Sequence, residues 1–222
     1  MPGDPFTGKI SPETDPIRIE ELREKHGLND PWYEQYVRWI GNAAKGEFGS
    51  SYTYQIKVST LLGERALNTF WLSLVTVILL YAIAIPLGVI AGRFQDSLFD
   101  RGVMLYSFVT YAIPTFVLAL LFIYFFGFKL GWFPTTGSVD IRQDAGTFGY
   151  VWSKIYHLFL PAFTSAILGT TGVIQFLRSE VIDAKSMDFV RTARSKGVPQ
   201  RKVYTRHIFR NSLLPIAAFI GF

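Results

Sequence analysis

The sequence contains no cysteine among its 222 residues. That excludes disulfides, thiolate metal sites and a cysteine nucleophile, and leaves the compartment open. Histidine occurs three times, never with H-E-x-x-H spacing, so no zinc site is expected. Charge is scarce too. Only 18% of residues are Asp, Glu, Lys or Arg, against about 25% in a soluble domain. An ordinary cytosolic enzyme does not have that balance. Half of the chain is hydrophobic, 16% is aromatic and the mean hydropathy is +0.26, which excludes disorder. Net charge is +5, and its placement matters more than its sum.

The charges leave three long gaps. Ala66 to Gly92, Gly102 to Phe128 and Ile155 to Leu177 carry no Asp, Glu, Lys or Arg; they measure 27, 27 and 23 residues. A bilayer core of about 30 Å needs about 20 apolar residues. All three windows are long enough to span. A fourth apolar run, Asn211 to Phe222, has 12 residues and is too short. The expected fold class is therefore all-α, a polytopic membrane helical bundle with three full spans and a truncated fourth. The expected division is an extracytoplasmic helical segment over 1–65 and a transmembrane domain over 66–222. No charged residue lies inside a span, which argues against a proton- or sodium-coupled carrier.

Orientation follows from Lys and Arg density. Segments 93–101 and 178–210 share a side and hold 11 Lys/Arg in 42 residues. Segments 1–65 and 129–154 share the other, with 11 in 91. The denser side is expected to be cytoplasmic. Trp71, Trp132 and Trp152 then flank the spans at the outer interface, where amphipathic rings prefer to sit. Residues 1–65 carry no apolar leader that could export them. The expectation is an internal fragment of a longer membrane protein.

In the outer segment, Asp15-Pro16 and Asp30-Pro31 each set a capping acid before a proline suited to a first helical turn. Helices are expected over 16–26 and 31–44, with Gly27 and Gly41 as stops. Trp32, Tyr36, Trp39 and Ile40 form an apolar stripe on the second. Gly3 to Ile10 nearly spells a phosphate-binding loop, but Ile10 stands where Ser or Thr must follow the lysine, and no strand precedes it. The chain is not expected to hydrolyse ATP.

Within the spans, Pro86, Pro114 and Pro161 can kink their helices. Gly88 and Gly92 form a G-x-x-x-G pair that reads as close helix packing. Thr164, Thr171 and Gln175 recur on one helical face; they either line a translocation path, with Pro114, or bond neighbouring helices. His157 reads as a wetted interfacial residue rather than a proton relay.

Residues 178–210 hold nine Lys/Arg against Glu180, Asp183 and Asp188. Asp188 can cap a helix that runs to Lys196, and Gly197 can end it in the left-handed region. Pro199 then opens a second helix over 200–211, with Val203, Ile208 and His207 inward. On physical grounds this knob either touches lipid headgroups or docks a soluble subunit.

The residues themselves narrow that choice. Asp188-Phe189-Val190-Arg191-Thr192-Ala193-Arg194-Ser195-Lys196-Gly197-Val198, with Arg206 to Pro215, resembles the ATPase-docking loop of bacterial ABC importer permeases of the oligopeptide/dipeptide/nickel type. Pro2 to Pro5, Gly46 to Ser51, Glu64 to Thr69, Lys129 to Gly137 and Leu160 to Ala162 resemble further family segments in the same order. The general importer signature is E-A-A-x-x-x-G, nine residues, then I-x-L-P. Ala193 and Gly197 match it; Arg191, Thr192, His207, Phe209 and Arg210 depart from it as the peptide branch does. The resemblance implies a non-enzymatic permease subunit of a bacterial plasma-membrane importer, most simply for peptides, with nickel or another small solute as the alternative. An anion channel or a membrane assembly subunit fits less well. The docking residues it implies are Asp188, Arg191, Thr192, Ala193, Arg194, Lys196 and Gly197. The implied partners are cytoplasmic ATPases, a second similar permease, an extracytoplasmic substrate-binding protein and the lipid bilayer. No cofactor, metal or nucleic acid is expected.

Overall fold

A computed structural model describes residues 21, 23–24, 27–51 and 53–220. The Gly3–Ile10 segment, Pro2 to Pro5, Asp15-Pro16 and most of the expected 16–26 helix lie outside them. The chain divides between Thr69 and Phe70 into two compact units. Among the described residues there is no β-strand beyond one isolated bridge, Ser50 with Lys57.

In the first unit, helix α1 spans Trp32–Ala44. The expected caps are displaced. Pro31, not Asp30, is the N-cap, with no side-chain cap bond. Asp30 instead pairs with Arg38. Gln35 Nε2 donates to Leu28 O at 3.1 Å and to Asp30 O at 2.7 Å. Gly41 does not stop the helix. Gly46 follows its end with φ +80°, and its N–H and that of Glu47 donate to Ala43 O and Asn42 O at 3.0 and 2.9 Å. This is the paired-bond glycine ending in which a left-handed residue lets the chain turn back on the last carbonyls.

Helix α2, Val58–Arg93, is longer than its charge-free window and carries Pro86 inside. In the second unit its buried residues are Ala84, Gly88, Ala91 and Gly92, a seam of small side chains. A Cβ on Gly88 would stand 2.8 Å from Leu177 Cβ, and one on Gly92 2.8 Å from Arg178 O. The glycine pair is thus a close-packing device against the helix that carries Leu177 and Arg178, as its spacing suggests. The rest of α2 shows large apolar side chains outward, Val77 and Ile78 among them. Such a surface suits lipid, not water.

The second window is not one straight span. Helix α3, Leu98–Ala112, ends at Ile113. Helix α4, Thr115–Phe122, starts after Pro114 and runs into a π-helical stretch, Ile123–Lys129. The two arms bend by 102°. Proline forces the residue before it out of helical dihedrals, and Ile113 is extended at φ −86°, ψ 122°. Among the described residues, two helices, α2 and the later Phe148–Ser186, are long and apolar enough to cross a membrane alone, and the bent pair is a third if counted as one span.

Helix α5, Phe148–Ser186, again outruns its window and holds Pro161. Helix α6 is Asp188–Ser195. A single turn, α7, Gln200–Lys202, continues through a π-helical stretch, Val203–Ile208, into α8, Phe209–Ile220. The second loop helix does not end at Asn211 but continues into the terminal apolar run as one helical stretch.

At the end away from the basic 178–210 segment, aromatic rings fix the 130–137 loop to α5. Phe122, Phe163, Phe159 and Phe133 stack in succession with centroids 6.1, 5.7 and 5.3 Å apart. Tyr156 Oη donates to Trp132 O. Trp132 and Trp152 are exposed at this end. Trp71 is exposed on α2, 22 residues before Arg93, or about 33 Å of helix.

Candidate coupling knob and candidate path

The basic knob is built from α6 outward. Val190 and Ala193 lie one turn apart and are both buried. They pack with Val181 and Ala184 of α5 and with Val203 and Ile208 of the π-helical stretch; Val89, Phe189, Val198 and Tyr204 close around them. Gly197 has φ +71°. Its N–H donates to Arg194 O at 2.9 Å, and Val198 N to Ala193 O at 3.1 Å, which reproduces the ending of α1. Pro199 then begins the return arm, with Lys202 N and Val203 N donating to Pro199 O at 2.8 and 3.1 Å.

Asp188 is not a cap. Met187 is the N-cap, and the Asp188 side chain is 97% exposed, 3.7 Å from Arg191. Among the residues singled out in the sequence, Asp188, Arg191, Thr192, Arg194, Lys196 and Gly197 are exposed, whereas Ala193 points into the core. Arg201, Lys202 and Arg206 extend the exposed basic surface along the return arm. His207 is half-buried. The knob therefore offers a cationic outer face on a short apolar base.

Beneath it the 93–101 connection, with Arg93 and Arg101 balanced by Asp96 and Asp100, joins the same end of the unit. Arg93 lies 4.7 Å over the Tyr204 ring and 4.9 Å over Phe94. Lys185 Nζ donates to Arg93 O at 3.3 Å. Asp100, 2% exposed, accepts from Arg178 Nε at 2.6 Å and Nη2 at 2.8 Å. Its Oδ2 also accepts from Asp96 N at 2.8 Å, holding Asp96 at φ +64°. Two segments that the spacing of spans puts on one side are thus in direct contact.

The four candidate path residues are not gathered at one place. Thr164 lines a cavity of about 300 Å³ with Thr115, Ala119, Pro134, Thr136 and His157. Its hydroxyl donates to Leu160 O at 2.8 Å. Pro114 stands at the α3–α4 break, next to Thr115. Thr171 is buried with no partner for its hydroxyl among the described residues, and Gln175 is exposed. Neither borders that cavity. His157 Nδ1 donates to Ser153 O at 2.8 Å.

A family described as "Binding-protein-dependent transport system inner membrane component" matches residues 84–222. This range opens at the first residue of the small seam and holds the knob. The chain belongs to that family. It is a transport permease component, not a catalytic subunit, and a multi-pass protein of the bacterial inner membrane. It is 39% identical over 221 residues to the oligopeptide transport system permease protein AppB of Bacillus subtilis, covering 99% of this chain and 69% of that protein. It is 31% identical to the glutathione transport system permease protein GsiC of Escherichia coli, covering 100% of this chain and 68% of that protein.

Sequence reasoning about the permease missed the Asp100–Arg178 pair. Arg178 entered only as one of the nine Lys/Arg of 178–210, and Asp100 lay in a nine-residue connection. The signal was available: opposite charges at the ends of two spans that must share a side.

Proposed function

We propose that this permease component belongs to an ATP-driven importer of peptides. Its basic knob docks a cytoplasmic ATPase, a second similar permease completes the pathway, and a substrate-binding protein delivers cargo from outside. The single observation that carries this reading is the form of the knob. Six exposed positions, four of them charged, stand on an apolar base that fuses α6, α5 and the return arm. A part that must transmit motion has to be short and rigid, and its cations can pair with acidic groups on a partner. The relatives named for oligopeptides and glutathione support the cargo class. The cavity beside Thr164 and Pro114 is the place on the path where this chain offers hydroxyls to a passing solute.

The chain has no native cysteine, so Ser195→Cys is a unique thiol on the exposed face. In the assembled transporter it reacts with a membrane-impermeant maleimide in inside-out vesicles and is protected when the ATPase is bound. Gly197→Trp blocks uptake while insertion persists. Labelling of position 195 in intact cells, or normal uptake by Gly197→Trp, overturns the docking assignment.

A further inference from the structure

The knob and the bundle are joined by more than apolar packing. Apolar contacts resist separation but are non-directional. A guanidinium held at two points by a carboxylate fixes orientation as well as distance. Arg178 makes that contact on Asp100, ten residues before the knob begins, about 15 Å along α5. Two further contacts flank it. Lys185 holds the Arg93 carbonyl, and the Arg93 guanidinium sits over Tyr204 on the return arm. The turn between α2 and α3 is therefore tied both to α5, which leads into the knob, and to the knob's return arm.

A buried ion pair is a poor way to gain stability, since two desolvated charges offset much of their attraction and an apolar pair of similar size does as well. What the pair does supply is a defined geometry. Asp100 stabilises the start of α3 in three ways at once: it accepts from Asp96 N, its own N–H donates to Ser97 Oγ at 3.2 Å, and it receives Arg178. Displacement of the knob consequently reaches α3, the helix that leads to the Pro114 break, through Asp100 rather than dissipating in the last turns of α5.

We infer that Asp100 and Arg178 are positioning residues for transport, forming the rigid clamp that carries movement of the docking knob into the α2–α3 turn. This rests on the importer reading above. Its test uses the complete transporter reconstituted in liposomes with ATPases, partner permease and binding protein, measuring tripeptide uptake and ATP hydrolysis together. The wild-type measurement tests the importer reading alone: absence of binding-protein-dependent peptide uptake refutes that reading, whatever the variants do.

Where the wild type transports, Asp100→Asn and Arg178→Lys lower peptide moved per ATP hydrolysed by roughly tenfold, while assembled complex hydrolyses ATP at its basal rate. The exchanged pair, Asp100→Arg with Arg178→Asp, recovers part of the ratio. A purely structural pair behaves differently: the amount of assembled complex falls and the ratio per complex stays at the wild-type value, and that result overturns the clamp. Should Asp100→Asn fail to accumulate, Asp100→Glu keeps both charges but shifts the two-point contact. A wild-type ratio in that variant and in Arg178→Lys equally overturns the inference.

Discussion

Helices α1 and α6 end in the same way. Gly46 and Gly197 each take a positive φ, and in each case two backbone N–H groups fold back on the last turn. Both helices are amphipathic. They differ on the apolar side. The eight residues of α6 bury Val190 and Ala193. The thirteen residues of α1 bury none, and Trp32, Tyr36, Trp39 and Ile40 all stand exposed. The cause lies in the neighbours. One residue, Met187, separates α6 from α5, and its return arm packs Val203 and Ile208 on the same base. Short connections hold several apolar faces together at little cost in loop entropy. In α1 the described covalent neighbours are a turn and an irregular connection, which supply backbone hydrogen bonds. An amphipathic pattern makes a buried face available, and another element has to cover it.

The comparison can be broken most strongly at its apolar positions. Val190→Asp places a carboxylate in the knob core and costs on the order of 3 kcal/mol, while Trp39→Asp on α1 stays within about 0.5 kcal/mol. Thermal unfolding of the purified chain in detergent measures both; equal losses would remove the distinction between a covered and an uncovered stripe. The next effect concerns glycines inside helices. Gly92→Ala meets Arg178 O and Val181 Cβ at 2.8 Å and destabilises by about 1–3 kcal/mol through overpacking. Gly41→Ala meets nothing within 4 Å and stabilises by about 0.5–1 kcal/mol through helix propensity. The same melting curves should move in opposite directions.

The smallest effect sharpens the likeness. Gly46→Ala and Gly197→Ala both put a Cβ on a positive φ with open space around it. Each should cost about 1 kcal/mol. A clearly larger loss at Gly197 in a denaturant titration would mean that the knob transmits strain from its cap into its base, which α1 cannot do.

Much of this was readable in residues 58–222. The charge-free windows announced α2 and α5, because a long apolar run has few other stable forms. Gly88 and Gly92 announced a helix contact, and Gly197 announced a helix end with its dihedral angle. The limits were local. Asp30 and Asp188 look like caps, yet each stands one place off, because Pro31 and Met187 take the N-cap positions. Gly41 looks like a stop, and the helix continues to Ala44 because one glycine costs only about 1 kcal/mol when the following residues favour helix. Thr164, Thr171 and Gln175 share a helical face by count. The bend at Pro114 and the packing around α5 separate them, leaving Thr164 on a cavity, Thr171 buried and Gln175 exposed.

The sequence by itself determined the class of this protein: an all-helical membrane chain with a basic, glycine-capped knob. Span length, charge spacing and backbone permission are one-dimensional properties. Only the tertiary structure decided that Asp100 and Arg178 meet, that Arg93 reaches Tyr204, and that Ala193 faces inward while Arg191 and Arg194 face out. Those outcomes depend on the register between helices, and register is set by which small residues let two backbones approach. A linear pattern carries no term for that distance.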